Sequence, residues 1–77
     1  MQLLFFGSVQ EGLKMSSMEL AVDASNLGEL KQYLEERYTL LQQQPYTFAV
    51  NEVLTRDLKQ VIKPGDVIAL LPPFSGG

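Results

Sequence analysis

The last eight residues of the chain carry the pattern with the clearest chemical use: Leu70-Leu71-Pro72-Pro73-Phe74-Ser75-Gly76-Gly77. Glycine has no Cβ, so a Gly-Gly segment can lie extended in a channel too narrow for any other residue. Each proline ring fixes φ near the polyproline value, so the diproline is predicted to hold the segment away from the domain. We expect the Gly77 carboxylate to be the reacting group, at the end of a tail that reaches about 20 Å.

Side chains that commonly act in catalysis are missing from the sequence. The chain has no Cys and no His, which excludes a thiol nucleophile, an imidazole base and a zinc cluster of these ligands. The carboxylates are scattered, and Gly28 is a lone glycine in a helical pattern rather than part of a phosphate-binding loop. We therefore predict a substrate or carrier that is not an enzyme on its own and that binds no metal or cofactor.

Composition narrows the compartment and the partners. The chain has 77 residues, of which 45% are hydrophobic and 19% charged, as expected for one globular domain. A net charge of -3 argues against nucleic acid and favours a basic protein partner. No apolar run approaches the ~20 residues of a membrane span, and no basic segment precedes the first apolar run. We expect a cytoplasmic protein that does not enter a membrane.

The first quarter of the chain predicts two strands. Gln2 to Phe6 is a short apolar run, and Met18, Leu20 and Val22 alternate with polar or small residues, which is the period of a half-buried strand. Val9 to Lys14, between them, is predicted to be a connection or a single helical turn. The two strands are expected to pair as a hairpin.

A helix is predicted next. Asn26 with Glu29 approximates a capping box, and Pro45 cannot continue a helix. Apolar residues in this segment recur at helical spacing: Leu27, Leu30, Leu34 and Tyr38. Leu41 continues the same spacing. The spacing predicts an amphipathic helix of three to four turns whose apolar stripe packs on the core.

The remaining residues predict three strands. Tyr46 to Val50 is rich in β-formers, Asn51-Glu52 suits a turn, and Val53 to Thr55 can return as a short strand. Lys63-Pro64-Gly65-Asp66 suits a second turn before a last apolar strand, Val67 to Leu71. The order predicts an α+β domain over residues 1–71 and an extended tail over residues 72–77.

Four segments resemble a known family: Leu4-Phe5-Phe6-Gly7, Ala49-Val50-Asn51, Pro64-Gly65-Asp66, and the tail from Leu71 to Gly77. Over its whole length the chain resembles the MoaD family, the ubiquitin-like sulfur carriers that form the small subunit of molybdopterin synthase. Thiazole-pathway carriers of the ThiS type share the fold, the Val-Asn and Gly-Asp signals and the Gly-Gly end, but they usually lack the diproline.

The resemblance implies a ubiquitin-like β-grasp fold, a mixed sheet of four to five strands covered by one main helix. It also implies that a partner adenylyltransferase, resembling ubiquitin-activating enzymes, uses ATP to adenylate Gly77. A sulfur donor protein then supplies the sulfur of a thiocarboxylate. The tail, Pro72, Pro73, Phe74, Ser75 and Gly76, inserts with Gly77 into the large catalytic subunit of a heterotetrameric synthase, which moves sulfur onto a precursor pterin.

Docking also needs a surface on the domain. If Ile68 and Leu70 face the helix, then alternation turns Val67, Ala69 and Leu71 outward. By the same rule Phe5 points inward and Phe6 outward. Matched to the family pattern, Phe6, Leu54 and Leu71 are expected on the exposed sheet face that meets either partner.

Three other functions remain open from the sequence. The chain could carry sulfur for thiamine thiazole or for tRNA thiolation. It could be a ubiquitin-like modifier whose Gly77 becomes linked to lysines of other proteins. It could also be an interaction module that does not need its terminus. The first two need Gly77 and differ in the acceptor.

Overall fold

A mixed five-stranded sheet forms the body of the molecule. The computed structural model describes residues 1–21 and 23–73. The predicted strand residue Val22 and the predicted tail residues Phe74, Ser75, Gly76 and Gly77 lie outside the described residues. The strands are β1 (Gln2–Phe5), β2 (Ser17–Glu19), β3 (Thr47–Val50), β4 (Val53–Thr55) and β5 (Val67–Leu71).

The strand order places the last strand at the centre of the sheet. From edge to edge the order is β2-β1-β5-β3-β4. Strands β1 and β5 run parallel, with Leu4 opposite Ala69, whereas the other neighbouring pairs are antiparallel. Because β5 is paired on both sides, the backbone is fixed by hydrogen bonds up to the residue before the diproline.

The part of the chain that the structure describes also contains three helices: α1 (Gly7–Leu13), α2 (Leu27–Arg37) and α3 (Leu40–Gln43). The predicted α+β class, with one main helix against a mixed sheet, is confirmed, and α2 is that helix. Among the helices of residues 1–21 and 23–73, none is long and apolar enough to cross a membrane.

The core lies between α2 and one face of the sheet. Leu27, Leu30 and Leu34 are fully buried, as the helical spacing predicted. They meet side chains from the inward positions of the three central strands: Leu3, Phe5, Phe48, Val50, Ile68 and Leu70. Complete burial of a leucine is worth roughly 1.5 to 3 kcal/mol, so this layer is the main source of stability.

The start of α2 agrees with the predicted cap. Asn26 Oδ1 accepts a hydrogen bond from the Glu29 N–H at 2.9 Å, and Asn26 has extended backbone angles. The returning bond goes to Ser25 instead of Asn26, since Glu29 Oε1 accepts from the Ser25 N–H at 2.7 Å and from its hydroxyl at 2.9 Å. Asn26 is therefore the N-cap of α2, and Ser25 binds the Glu29 side chain that follows it.

A polar contact holds α2 to β3. The Tyr46 hydroxyl donates to Glu35 Oε2 at 2.6 Å, and the Lys31 ammonium pairs with the same carboxylate. The Tyr46 ring also packs edge-on against Phe48, with ring centres 5.4 Å apart. Burial raises the pKa of the Tyr46 hydroxyl well above its ordinary value, so it stays a hydrogen-bond donor.

Two elements in the first quarter of the chain differ in length from the prediction. The segment predicted as a connection or one turn is the seven-residue helix α1. Its two apolar residues, Val9 and Leu13, pack on the core, and this tertiary contact outweighs the low helix propensity of Gly7 and Gly12. Strand β2 ends at Glu19, before the full predicted alternation, although its antiparallel pairing with β1 is confirmed.

The predicted single helix also divides. Helix α2 ends at Arg37, with Tyr38 in an extended conformation as its C-cap, and a separate turn, α3, carries the buried Leu41. The chain bends at Tyr38, so Leu41 reaches the core from a different direction. Helical periodicity alone does not predict this bend, because Leu41 continues the apolar spacing of α2.

Candidate functional site

The face of the sheet opposite α2 carries the predicted docking surface. In β5, Ile68 and Leu70 are fully buried, whereas Val67, Ala69 and Leu71 are half-buried and point to the other face. The alternation predicted from the sequence is therefore confirmed. Where a single helix covers one side of a sheet, the outward residues of its central strand stay accessible.

These outward residues line a groove of about 580 Å³. Its apolar lining comes from four strands and from the residue after β1: Leu4, Phe6, Ala49, Leu54, Val67, Ala69 and Leu71. The β3–β4 turn, Asn51 and Glu52, forms one end of the groove. We call these nine residues the sheet groove. Phe6 is 43% exposed and Leu54 53% exposed, which is typical of a binding surface when such side chains are contiguous.

The shape of the sheet groove follows from the strand register. Leu4 lies opposite Ala69, Ala69 opposite Ala49, and Ala49 opposite Leu54, so these four residues form one row across the sheet. Two alanines at the centre leave a low floor, and a leucine at each end rises above it. The row is therefore concave and fits a protruding apolar side chain.

Phe6 joins the sheet groove although β1 ends at Phe5. Its backbone is extended, with φ of -128° and ψ of 157°, and its N–H donates to the Leu70 carbonyl at 3.1 Å. The strand alternation thus continues for one residue, which sends Phe5 into the core and Phe6 to the open face. Both predicted orientations are confirmed.

One end of the sheet groove is held by a network between two turns. Asn51 has φ of 49° and Glu52 has φ of 73°, so both residues of the β3–β4 turn are left-handed, as a two-residue hairpin requires. The Asn51 side chain accepts from the Val67 N–H at 3.0 Å and donates to Asp66 at 3.1 Å. Asp66 also accepts from the Lys63 N–H at 2.8 Å.

This network explains two of the segments that carried the family resemblance. The Val-Asn and Gly-Asp segments are far apart in the sequence, yet Asn51 and Asp66 are hydrogen-bonded. Together they fix the start of β5 against the end of β3. The position of the strand that leads into the tail therefore depends on both turns.

Two substitutions of Asn51 are expected to separate the contribution of its side-chain hydrogen bonds from that of its left-handed backbone. Asn51→Gly keeps the left-handed backbone and loses the side-chain bonds, so we expect a loss of about 1 to 2 kcal/mol of unfolding free energy. Asn51→Ala loses the bonds and adds the cost of a left-handed alanine, for about 2 to 4 kcal/mol in total. Thermal melts should rank wild type above Asn51→Gly and that variant above Asn51→Ala. Equal melting temperatures for Asn51→Gly and Asn51→Ala would contradict the expected cost of a left-handed alanine.

The same network gives stability a dependence on pH. The hydrogen bond from Asn51, followed by that from the Lys63 N–H, holds the pKa of the Asp66 carboxyl below its usual value. A carboxylate whose pKa is lower in the folded state stabilises the fold above its unfolded pKa, and that stability is lost as pH falls through the folded pKa. The difference between wild type and Asn51→Gly should therefore narrow in acid unfolding experiments below the ordinary Asp range.

The predicted tail starts directly beside the sheet groove. Leu71 is both the last residue of β5 and part of the groove lining. Pro72, which follows, is half-buried, and Pro73 is exposed. The predicted reacting group at Gly77, and its neighbours Phe74, Ser75 and Gly76, lie outside the described residues, so their roles and the domain boundary at residue 71 stay predictions.

Comparison with known proteins identifies the family. A family model described as the ThiS family matches residues 3–77, which include all of the sheet except Gln2 and the whole predicted tail. The chain belongs to the ThiS family. This family comprises ubiquitin-like sulfur carriers of the ThiS and MoaD types, so the predicted resemblance is confirmed at that level.

Solved structures agree with this family. One chain of the complex of subunits 1 and 2 of the molybdopterin-converting factor from Helicobacter pylori is 34% identical, with a TM-score of 0.70 and coverage of 99% of this chain and 96% of that chain. A Pyrococcus furiosus protein assigned as molybdopterin converting factor subunit 1 has a TM-score of 0.84 at 15% identity, covering 95% of each chain.

A third structure, the small archaeal modifier protein 1 from Methanosarcina acetivorans, has a TM-score of 0.77 at 19% identity, covering 99% of this chain and 94% of that chain. At such identities, likeness shows the fold alone. The ubiquitin-like β-grasp fold that the resemblance implied is thereby confirmed.

The structure brings the three predicted interface residues of this ThiS-family chain onto one surface. Phe6, Leu54 and Leu71 all line the sheet groove. Leu4 and Ala49 also line the groove, although neither was predicted to face a partner. Leu4 could have been found, because it is out of phase with the buried Leu3 and Phe5. Ala49 could not, since its place in the groove floor depends on the cross-strand register.

Proposed function

We propose that this chain is the sulfur-carrying small subunit of a molybdopterin synthase. The observation that carries the proposal is the 34% identity, over 99% of the chain, to a chain from a complex of molybdopterin-converting factor subunits 1 and 2. The family match over residues 3–77 supports a carrier whose tail is part of the functional unit. The diproline before Phe74 supports the molybdopterin branch, because the resemblance to that branch rests on it.

The chemistry begins at the Gly77 carboxylate. A carboxylate is a poor acyl donor, so a partner adenylyltransferase joins it to AMP from ATP and releases pyrophosphate. A sulfur donor protein then delivers sulfur at the oxidation level of sulfide. The carbon–sulfur bond forms, the bond to the AMP oxygen breaks, and the products are a thiocarboxylate and AMP. Because the chain has no Cys, this terminus is the group on which it can carry transferable sulfur.

The sheet groove supplies the docking surface in this proposal. The large catalytic subunit would bind it with a protruding apolar side chain, and the adjacent tail would enter that subunit's active site. The adenylyltransferase would use the same groove, since it must capture the same tail. The two partners would therefore compete for one carrier, which fits a cycle of loading followed by transfer.

The acceptor of the sulfur is the test of the proposed function. The thiocarboxylate form can be made without an activating enzyme, by cleaving a C-terminal intein fusion with sulfide. It is then incubated separately with the molybdopterin synthase large subunit and precursor pterin, and with a thiazole synthase and its substrates. We expect the dithiolene product in the first reaction, together with return of the carrier to its carboxylate form. Product in the second reaction alone would contradict the proposal.

The second reaction represents the runner-up function, a carrier for thiamine thiazole, which the ThiS-family match favours. A modifier function has a different readout. In a lysate with ATP and the activating enzyme, a modifier would form isopeptide-linked products that resist reduction. A carrier would instead remain a single species of its own mass, with or without sulfur.

A further inference from the structure

Pro72 packs against Gly7, at a point where the chain leaves the sheet. Gly7 is the first residue of α1 and has φ of 56°, and it is the one glycine of residues 1–21 and 23–73 in the left-handed region. A Cβ added to Gly7 would lie 2.6 Å from Cγ of Pro72 and 3.2 Å from its Cδ. Real side chains do not approach so closely, so the present position of Pro72 requires a glycine at residue 7.

The Pro72 ring cannot rotate away from residue 7. The proline ring is closed onto its own backbone nitrogen, so Cγ moves only if the main chain moves or the ring changes pucker slightly. Gly12 in the same helix provides a contrast. A Cβ there would lie 2.2 Å from Leu40 Cδ2, which is the end of a rotatable side chain. A clash at Gly12 can be relieved locally, whereas a clash at Gly7 displaces the backbone at residue 72.

We propose that Gly7 is a positioning residue for the tail: the missing Cβ lets the Pro72 ring sit against α1 and so sets the direction in which the chain leaves β5. The expected effect on sulfur transfer rests on the proposed function, whereas the effect of Gly7 on the direction of the chain at Pro72 does not. The main chain just before this point is held in place, because Leu71 is paired with Thr47 and the Phe6 N–H bonds to the Leu70 carbonyl at 3.1 Å.

A small displacement at Pro72 becomes a large one at the reacting group. Ordinary contact begins at about 3.4 Å, so an alanine at residue 7 would push the ring by roughly 0.8 Å. With Leu71 fixed about 3.8 Å away, that shift is a rotation of roughly 12°, which would move the end of the predicted tail of about 20 Å by roughly 4 Å. Misplacement by 1 Å can already reduce a reaction rate about 100-fold.

The geometric part is tested by nuclear magnetic resonance on the free carrier. One-bond Cα–Hα residual dipolar couplings of Pro72 and Pro73 report how these bonds are oriented relative to the sheet. We expect them to change in Gly7→Ala and to keep their wild-type values in Gly12→Ala. Unchanged couplings in Gly7→Ala, with the sheet intact, would overturn the proposal whatever the function of the protein.

The functional part is a double-mutant cycle on single-turnover sulfur transfer to the large subunit. Gly7→Ala is expected to slow transfer about 10- to 100-fold. In a Pro72→Ala background, which lacks Cγ and Cδ, the same substitution should slow transfer by less than about threefold, because the clash is gone. Binding of the large subunit, measured by titration calorimetry, should change little in Gly7→Ala, since the sheet groove is retained.

A further variant separates the clash from backbone strain. Asparagine tolerates left-handed angles but carries a Cβ, so Gly7→Asn should slow transfer as much as Gly7→Ala. Equal slowing by Gly7→Ala in both Pro72 backgrounds, or wild-type transfer by Gly7→Asn, would overturn the positioning role. If wild-type carrier transfers no sulfur, the proposed function fails, and the dipolar couplings still decide whether Gly7 sets the direction at Pro72.

Discussion

Removing Gly77, or adding one residue after it, is expected to abolish thiocarboxylate formation and to leave the melting temperature unchanged. Adenylation needs a terminal carboxylate at a fixed distance from the ATP phosphate. One residue more or less shifts that carboxylate by about 3.5 Å, which is far outside a productive geometry. Stability should be retained, because the described sheet ends at Leu71 and the last core residue of the described part is Leu70.

Mass spectrometry after incubation with the adenylyltransferase, ATP and a sulfur donor measures this directly. Wild type should exchange one oxygen for sulfur, and neither length variant should do so. Gly76→Ala tests the narrow channel and should also lose loading. Its matched control is Gly65→Ala, because a Cβ at Gly65 meets nothing within 4 Å. Thiolation of the extended variant at the wild-type rate would show that Gly77 is not the reacting group.

Leu71→Asp is expected to weaken binding of the large subunit by about 2 to 4 kcal/mol, which is roughly 30- to 1,000-fold in Kd. In the complex the new carboxylate would be buried against an apolar partner without a counter-charge. In the free protein it remains accessible to water, so the loss of unfolding free energy should stay near about 1 kcal/mol. Titration calorimetry and thermal melts on the same samples measure the two effects.

Neighbouring residues on β4 provide a matched control for the sheet groove. Leu54 lines the groove, whereas the adjacent Val53 is 65% exposed and does not line it. Leu54→Asp should therefore weaken binding, and Val53→Asp should leave the Kd within about threefold of wild type. Comparable weakening by both would mean that net charge, and not the groove, controls binding. Unfolding of Leu71→Asp would place that residue in the core and contradict the assignment of faces.

The faces of the sheet were predictable because alternation is a local property. Once β5 is known to be a strand, burial of Ile68 and Leu70 turns Leu71 outward, whatever the neighbouring strands are. The same holds for Phe5 and Phe6. The helix cap at Asn26 was predictable for a similar reason, since a side chain reaches a backbone N–H only three residues away.

Features that join distant parts of the chain were not predictable in this way. The helix α1 contains two glycines, and the N-cap, Phe6, makes no capping hydrogen bond with its side chain. Its stability comes from Val9 and Leu13 against the core. The concave row of Leu4, Ala69, Ala49 and Leu54 depends on the register of four strands, which no single segment encodes.

The order of the strands and the main helix along the chain, and the inward and outward positions in β5, could be predicted without a structure. These follow from residue types and short-range spacing. Three other features became visible only in the folded chain: the row of Leu4, Ala69, Ala49 and Leu54, the hydrogen bond from Asn51 to Asp66, and the contact of Pro72 with Gly7. Each of these depends on which strands become neighbours, and packing of the whole chain sets that choice because long-range pairing is favourable only when the shared core closes.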